Sequence, residues 1–486
     1  MVARFTAQEL LHSDLLINGE WVGGSQAQRF PVTNPSTGEV ITQVASASQA
    51  DVHTAIAAAQ AALPAWSGLT AVERSRILRK WFDLIVENVD SLAEILTLEQ
   101  GKPLEEARGE ILYGANFIEW FAEEVKRLYG ETIPTNVSSR RLLTIRQPIG
   151  VTAAITPWNF PMAMIARKAG PAIAAGCPMI VKPAAETPLS ALAIGRLALE
   201  AGVHPGVLQV ITGPASVIGP ELTASPAIRA LSFTGSTEVG KKLMSDCAHT
   251  VKKVAMELGG NAPVIVFDDA DIEIAVSGTI DSKFRNSGQT CVCANRIFVQ
   301  AGIHDRFVEA LSTAVAKLNV GDGFSRDVQQ GPLINLEAVE KVESHISDAV
   351  SRGAKVVVGG NRHSIGGTFF EPTLITSATM DMTIASEETF GPVAPIFIFE
   401  TEEEGLEMAN STPFGLAGYF FTQDLARMWR VSEKLEVGVV GVNTGLISYE
   451  GAPFGGVKES GVGREGSLHG IEEFLEMKYI CIGAVN

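Results

Sequence analysis

The chain has 486 residues, 46% of them hydrophobic, so about two or three domains with large buried cores are expected. A formal net charge of −17 and a pI near 5.0 exclude nucleic acid and anionic membranes as principal partners, because both call for basic patches. Five cysteines without framework spacing point to a reducing compartment, and eight histidines without ligand-type pairing argue against a metal site.

Residues 1–19 hold no apolar signal core and include Glu9 and Asp14. No uncharged run reaches the ~18 residues of a membrane span, so the sequence reads as a cytoplasmic protein. Residues 15–45 are short extended segments broken at Asn18-Gly19, Gly23-Gly24 and Asn34-Pro35, which suits hairpins. Helical periodicity follows over 50–62, 72–98 and 104–129, with Ile77, Leu78, Trp81, Phe82 and Ile85 as its clearest apolar face. From 130 to 149 the helical pattern stops, and 140–147 alternates like a half-exposed strand, either a surface hairpin or an arm reaching another subunit.

Strands and helices then alternate: Val151–Ile155, Pro178–Val181, Val207–Thr212, Ala230–Thr234 and a strand near Val254, with helices at 188–201 and 236–249 among those between. Nearly continuous apolar strands separated by helices predict a parallel sheet covered on both faces. Residues 262–455 repeat the alternation as a second α/β domain, and the strand-like tail at 475–486 can pair with 140–147.

The second domain contains Arg285-Asn286-Ser287-Gly288-Gln289-Thr290-Cys291-Val292-Cys293, a polar turn between a helix over Asp271–Phe284 and a strand over Arg296–Val299. A thiol attacks as thiolate, and polar or cationic neighbours lower its pKa from about 8.5, so this flank marks Cys291 as the candidate nucleophile. In open α/β sheets ligands bind beyond the carboxyl ends of the strands. Those ends carry Thr156-Pro157-Trp158-Asn159-Phe160-Pro161, Lys182-Pro183, Gly213-Pro214, Gly235-Ser236 and Glu257-Leu258-Gly259-Gly260. Gly235 and Ser236 start a helix, where free N–H groups favour phosphate, although a serine there is also a good N-cap. Glu257 in apolar surroundings would have a raised pKa and serve as a base, or serve as a structural acceptor. Asn159 offers a neutral donor for an oxyanion.

These motifs, together with Gly288-Gln289-Thr290-Cys291 and Glu388-Thr389-Phe390-Gly391-Pro392, resemble those of the NAD(P)-dependent aldehyde dehydrogenases, in the same order from about Leu16 to the C-terminus. The Cys291-Val292-Cys293 pair and Pro453-Phe454-Gly455-Gly456-Val457-Lys458 are most similar to bacterial succinate-semialdehyde dehydrogenases, with glutarate-semialdehyde dehydrogenases as close relatives. The resemblance implies an α/β fold with a Rossmann-like, doubly wound cofactor-binding domain (1–129 and 150–259) and a catalytic domain (260–455). It adds an oligomerisation arm (130–149 and 475–486), a return segment (456–474) and a homodimer or homotetramer.

It also implies that Cys291 forms a thiohemiacetal and then a thioester, that Asn159 holds the oxyanion, and that Glu257 activates the hydrolytic water. Cofactor contacts are implied for Thr156, Pro157, Trp158, Lys182, Ala185, Gly213, Phe233, Gly235, Ser236, Leu258, Glu388 and Phe390. Glu465 matches a position given a supporting base role. NAD-preferring members commonly carry glutamate three residues after the lysine; here that residue is Ala185, with the acid displaced to Glu186, which predicts NADP with NAD accepted. Arg167, Arg285 and Ser448 match positions that bind the far carboxylate of a dicarboxylic semialdehyde, and either arginine would otherwise make a structural ion pair. Cys293 is expected either to form a reversible disulfide with Cys291 or to pack beneath the loop. A cofactor-free cysteine hydrolase would use Cys291 and Glu257 but leave the phosphate-type turn and Glu388 without purpose.

Overall fold

Strand Val151–Ile155, buried at every position, lies inside an eight-stranded sheet of the computed structural model, which describes residues 4–484. The order across that sheet is Gly461–Val462, Lys253–Glu257, Ile228–Thr234, Val151–Ile155, Met179–Lys182, Leu208–Val210, Leu15–Ile17 and Glu20–Val22. The five strands from Lys253–Glu257 to Leu208–Val210 are parallel. The N-terminal hairpin and Gly461–Val462 close the two edges in antiparallel fashion. Because successive side chains alternate faces, Ala154, Met179 and Val181 join one apolar core while Ala153, Ile155 and Ile180 join another on the opposite face.

The second sheet has seven strands, ordered Lys355–Val358, Thr373–Thr376, Val393–Phe399, Ala294–Gln300, Ala262–Val266, Ala417–Phe421 and Val439–Val442. It is parallel except at Lys355–Val358. The same alternation sends Phe298, Phe397 and Phe420 to one core and Ile297, Ile396 and Tyr419 to the other. A three-stranded sheet pairs Arg141–Pro148 with Thr132–Ile133 on one side and Leu475–Ile482 on the other, in antiparallel register from Leu475 opposite Pro148 to Ile482 opposite Arg141. Residues 485–486 of the predicted tail strand lie outside the described residues.

The N-terminal helices start where the side chains dictate. Ser48 and Asp51 form a capping box for Gln49–Ser67, and Thr70 and Glu73 form another for Ala71–Glu87. The periodicity over 72–98 is not one helix: the chain turns at Asn88 and restarts as Val89–Gln100. Helix Leu189–Ala201 stops at Gly202, whose φ of +98° only glycine adopts without strain. No single described helix is long and apolar enough to cross a membrane. Among the described residues no cluster of three or more His, Cys, Asp or Glu is disposed to hold a metal ion.

Candidate active site

Helix Ile272–Phe284, capped by Asp271, delivers the chain to three successive left-handed residues, Asn286 (φ +50°), Ser287 (φ +54°) and Gly288 (φ +76°). Left-handed backbone at a non-glycine residue costs about 1–2 kcal/mol, so the loop must be held from outside. The Asn286 N–H donates to Glu106 Oε2 (3.2 Å) and its amide to the Asn159 carbonyl (3.0 Å). Ser287 Oγ donates to Gly331 O (2.9 Å), and Gln289 Oε1 accepts from Ile334 N (3.0 Å). A β-carbon on Gly288 would collide with the Gly391 carbonyl, and one on Gly260 would lie 2.5 Å from the Cys291 carbonyl. These glycines therefore let the Glu388–Gly391 and Glu257–Gly260 segments close on the thiol. Asn286, Ser287, Gln289 and Thr290 are buried, and the partners just named are backbone groups and Glu106; they build the loop rather than lower the thiol pKa as their polarity suggests.

Two cavities meet at Phe160. The first, of about 310 Å³, is lined by Pro157, Trp158, Asn159, Phe160, Gly235, Ser236, Leu258, Cys291, Glu388 and Phe390, together with Met164, Thr234, Gly259, Ala338, Lys341 and Thr389. The second, of about 320 Å³, is lined by Lys102, Glu106, Gly109, Glu110, Tyr113, Phe160, Arg285, Leu446 and Ser448. Asn159 spends one amide hydrogen on Gln289 O (3.0 Å), which leaves the other for a ligand oxygen beside Cys291.

Burial pushes the Cys291 thiol up to about 12; the Arg167 guanidinium and, more weakly, Arg285 oppose this, while Glu388 and Glu257 reinforce it. The resting nucleophile is therefore a thiol, not a preformed thiolate. Burial also raises Glu257, as its apolar surroundings predict, and the charge of Glu465 raises it further. Glu465 feels the same burial, yet Arg167 and Lys168 outweigh it and hold Glu465 below the ordinary carboxylate range. Arg167 Nε stands 2.7 Å from Glu465 Oε2, and Lys168 Nζ bonds both Glu465 and Thr234 Oγ1, the latter at 2.7 Å. The two carboxyl groups are thus driven apart, Glu465 towards its ionised form and Glu257 towards its protonated form. Glu257 Oε2 is buried without a hydrogen-bond partner among the described residues.

Behind the first cavity, Phe233 packs so closely under Gly235 that a side chain there would strike its ring. Ser236 is the N-cap of helix Thr237–Ala248, its Oγ accepting from Val239 N (3.4 Å), and it faces the cavity as well. Glu388 accepts from Gly260 N (3.4 Å), with burial raising it to about 7, and Trp158 meets the Phe390 ring edge-on with centroids 5.5 Å apart. Thr156 Oγ1 is buried without a partner among the described residues. Lys182 Nζ donates to Pro183 O (2.9 Å), and burial lowers it to about 8 against the pull of Glu186. Ala185 and Glu186 are exposed, while Gly213 sits at φ +138° against Ala47 and Ser46; none of the three lines the first cavity.

On the other side, Arg285 and Ser448 share the second cavity, and the Arg285 guanidinium lies over Phe160 at 5.2 Å. Arg167 is not in that lining. It is 2% exposed, stacked on Phe454 at 4.0 Å and paired with Glu465, although its Nη2 has no hydrogen-bond partner among the described residues. Cys293 is buried, its thiol donating to Lys283 O (3.4 Å). Sequence reasoning missed Lys102, Glu110, Lys168 and Lys341. Lys168 left a signal, because Arg167 and Lys168 are two cations inside an otherwise apolar, wholly buried helix, Ala163–Ala175. Lys102 left only a Gly-Lys-Pro turn between helices.

Cys291 and Asn159 line one cavity with Ser236 at a helix N-terminus, and Glu257 is near enough to act electrostatically on the thiol, a set of groups that suits covalent aldehyde oxidation. Residues 21–480 match the aldehyde dehydrogenase family model. The chain is 58% identical over 477 residues to the glutarate-semialdehyde dehydrogenase of Pseudomonas aeruginosa, covering 98% of this chain and 99% of that protein. It is also 58% identical over 474 residues to the NADP(+) succinate-semialdehyde dehydrogenase GabD of Escherichia coli, covering 98% of each. The crystal structure of an Escherichia coli NADP-dependent enzyme superposes with a TM-score of 0.97 at 57% identity, over 98% of this chain and 99% of that one. Motifs, site geometry and full-length similarity agree, and the chain belongs to the aldehyde dehydrogenase family.

Proposed function

We propose that the protein oxidises succinic semialdehyde to succinate, with glutaric semialdehyde as the near alternative, preferring NADP+ and accepting NAD+. The observation that carries this reading is the placement of Cys291 on one cavity and of Arg285 with Ser448 on a second, with Phe160 as the wall common to both. An aldehyde at the thiol can then keep its far carboxylate beside a cation, which an acidic protein has to supply locally. One methylene in the spacer is worth only about 1–3 kcal/mol, which is why both semialdehydes stay within the reading.

The first cavity and the strand ends outside its lining carry the contacts a dinucleotide needs. Ser236 and the helix it caps would take the pyrophosphate and Glu388 ribose hydroxyls from the lining, while Lys182, for the ribose, and the orphaned Thr156 hydroxyl stand outside that lining. Trp158, Leu258 and Phe390 wall the same space, and Ala185 presents no carboxylate to repel a 2′-phosphate. When bound, NAD(P)+ supplies the hydride acceptor. The chain's own groups do the rest. Cys291 Sγ loses its proton to solvent water and bonds to the aldehyde carbon, while the free Asn159 N–H and the Cys291 backbone N–H hold the resulting oxyanion. After oxidation to the thioester, Glu257 in its ionised form takes a proton from water, the hydroxide attacks the acyl carbon, and that proton returns to the departing sulfur, releasing the acid and the thiol.

Residues 1–129 and 150–259 are assigned to cofactor binding, 260–455 to catalysis and 456–474 to the return segment. The segments 130–149 and 475–486 are assigned to an arm. Strand Leu475–Ile482 supports a homodimer or homotetramer, because it is an eight-residue edge strand with Met477, Tyr479 and Ile482 exposed, an edge that a second copy would cover. The acidic composition and unpaired cysteines support a cytoplasmic location. The test is the initial rate of NADPH and NADH formation with succinic semialdehyde, glutaric semialdehyde and butanal. The reading requires kcat/KM for a semialdehyde to exceed that for butanal by at least about tenfold, the equivalent of 1.4 kcal/mol; equal values would remove the substrate assignment.

A further inference from the structure

We propose that Lys102, paired with Glu110, is the positioning residue that holds the oxyanion donor Asn159 at Cys291; this rests on the oxyanion role assigned to Asn159. Lys102 is 2% exposed and Glu110 3%, and their charged ends stand 2.6 Å apart. Lys102 Nζ also donates to the Asn159 carbonyl at 2.8 Å and lies 3.9 Å from the centre of the Phe160 ring. Glu110 turns its other oxygen to the N–H groups of Met162 (3.0 Å) and Ala163 (3.2 Å), the first turn of helix Ala163–Ala175. One ion pair thus touches the residue that offers the amide, the aromatic wall shared by both cavities, and the start of the helix that carries Arg167 and Lys168.

The segment it holds has no regular structure of its own. Residues 156–162 form the irregular turn between strand Val151–Ile155 and helix Ala163–Ala175, so no ladder fixes the direction of the Asn159 carbonyl. That carbonyl accepts from Lys102 Nζ and from Asn286 Nδ2, the first bond reaching it from the start of helix Leu104–Glu124 and the second from the thiol loop. A charge-assisted bond is roughly twice as strong as a neutral one, so Lys102 is the stronger of the two anchors. A buried ion pair adds little stability over apolar side chains of the same volume, and what this pair adds is a fixed geometry for the groups it contacts. Lys102 and Glu110 line the second cavity but not the thiol's own, so their effect at the thiol passes through Asn159 and Phe160.

A double-mutant cycle on the full-length enzyme separates this role from general support. The readout is the single-turnover rate constant of NADPH formation from saturating succinic semialdehyde, with the Kd for NADP+ and the rate of Cys291 alkylation by iodoacetamide measured beside it. Asn159→Ala should slow the single turnover by about 10²–10³-fold, the loss of one oxyanion donor. Lys102→Met should slow it by about 10–100-fold, the effect of a misplaced reacting group, with cofactor Kd and alkylation within about threefold of wild type. Placed on Asn159→Ala, Lys102→Met should add less than about twofold, because the group it positions is gone. If Lys102→Met alone does not fold, Lys102→Met/Glu110→Gln removes both charges and orphans neither. An equal factor in both backgrounds, a single turnover as fast as wild type, or a parallel loss of cofactor affinity and alkylation overturns the inference. A silent Asn159→Ala removes the oxyanion role itself, and this inference with it.

Discussion

The two arginines offered for the substrate carboxylate stand in opposite situations, and removing each should have a different signature. Arg285 lines the second cavity, lies over Phe160 and enters none of the ion pairs of the described chain. Arg167 is sealed in with Glu465 at 2.7 Å. A hydrogen bond to a charged group contributes about 1.5–3 kcal/mol, and Arg285 is partly solvated, so the lower half of that range applies. Arg285→Ala should therefore lower kcat/KM for succinic semialdehyde by about 10–30-fold, mostly through KM, at 1.4 kcal/mol per tenfold. It should leave butanal oxidation within about twofold, since that aldehyde has no carboxylate to lose. Arg167→Ala instead leaves Glu465 buried beside Lys168 alone, and breaking a buried pair costs about 3–5 kcal/mol. That variant should melt several degrees lower and lose turnover on every aldehyde, because the Arg167 charge that opposes the raised Glu257 and favours its base form is gone. Steady-state rates on both aldehydes with a thermal melt decide the matter. If Arg285→Ala slows butanal as much as the semialdehyde, or if Arg167→Ala is stable and selective, the carboxylate clamp has been placed on the wrong arginine.

Four further outcomes follow from the same geometry. With its thiol raised to about 12, free-enzyme Cys291 should be alkylated by iodoacetamide at a rate that climbs about tenfold per pH unit from pH 7 to 9; a plateau below pH 9 would show a lowered thiol instead. Glu257 is held protonated by burial and by Glu465, and a raised pKa means that the base forms as pH rises. Steady-state turnover should therefore increase above neutrality, while Glu257→Gln keeps the first-turnover burst of NADPH and loses subsequent turnover by about 10²-fold or more. Lys182, lowered to about 8, is charged below that pH and neutral above it, so the Kd for NADP+ should rise between pH 7 and 9.5 with a limiting slope of about tenfold per unit. The Kd for NAD+ should follow the same dependence, because the ribose hydroxyls are common to both cofactors, and Lys182→Met should erase it in each. Peroxide should inactivate the enzyme reversibly with dithiothreitol, and Cys293→Ala should abolish that reversal; unchanged behaviour in the variant would leave Cys293 as the packing residue its bond to Lys283 O describes.

Much of the fold was legible because each layer is encoded locally. Continuous apolar strands such as Val151–Ile155 mark a sheet buried on both faces, and apolar spacing over 50–62, 72–98 and 104–129 marks the N-terminal helices. The break at Asn88 was not legible, since apolar spacing runs on through it and both halves pack on one core. Nor was the closure of the parallel sheet by Leu15–Ile17 and Gly461–Val462, because a three- or two-residue strand has too few side chains to show a period.

The site divides along the same line. Cys291, Asn159 and the Gly235-Ser236 turn stand out by residue type and position at a strand end or turn, and Glu388 only by its resemblance to a family motif. The charge state of each group depends instead on partners far along the chain. Lys168 meets Glu465 across 297 positions, Asn159 is held by Gln289 across 130, and Lys341 reaches the Glu388 carbonyl across 47. The polar flank of Cys291 was read as an activating shell and is the scaffold of a strained loop, because polarity in a sequence does not say which way a side chain turns. The consequence for catalysis is specific. A thiol raised by burial, beside a carboxyl also raised by burial, does not favour a resting pair of thiolate and free base. Nucleophilic attack must therefore be coupled to loss of the thiol proton, and the Glu257 base has to form against both burial and the charge of Glu465, with Arg167 and Lys168 easing it.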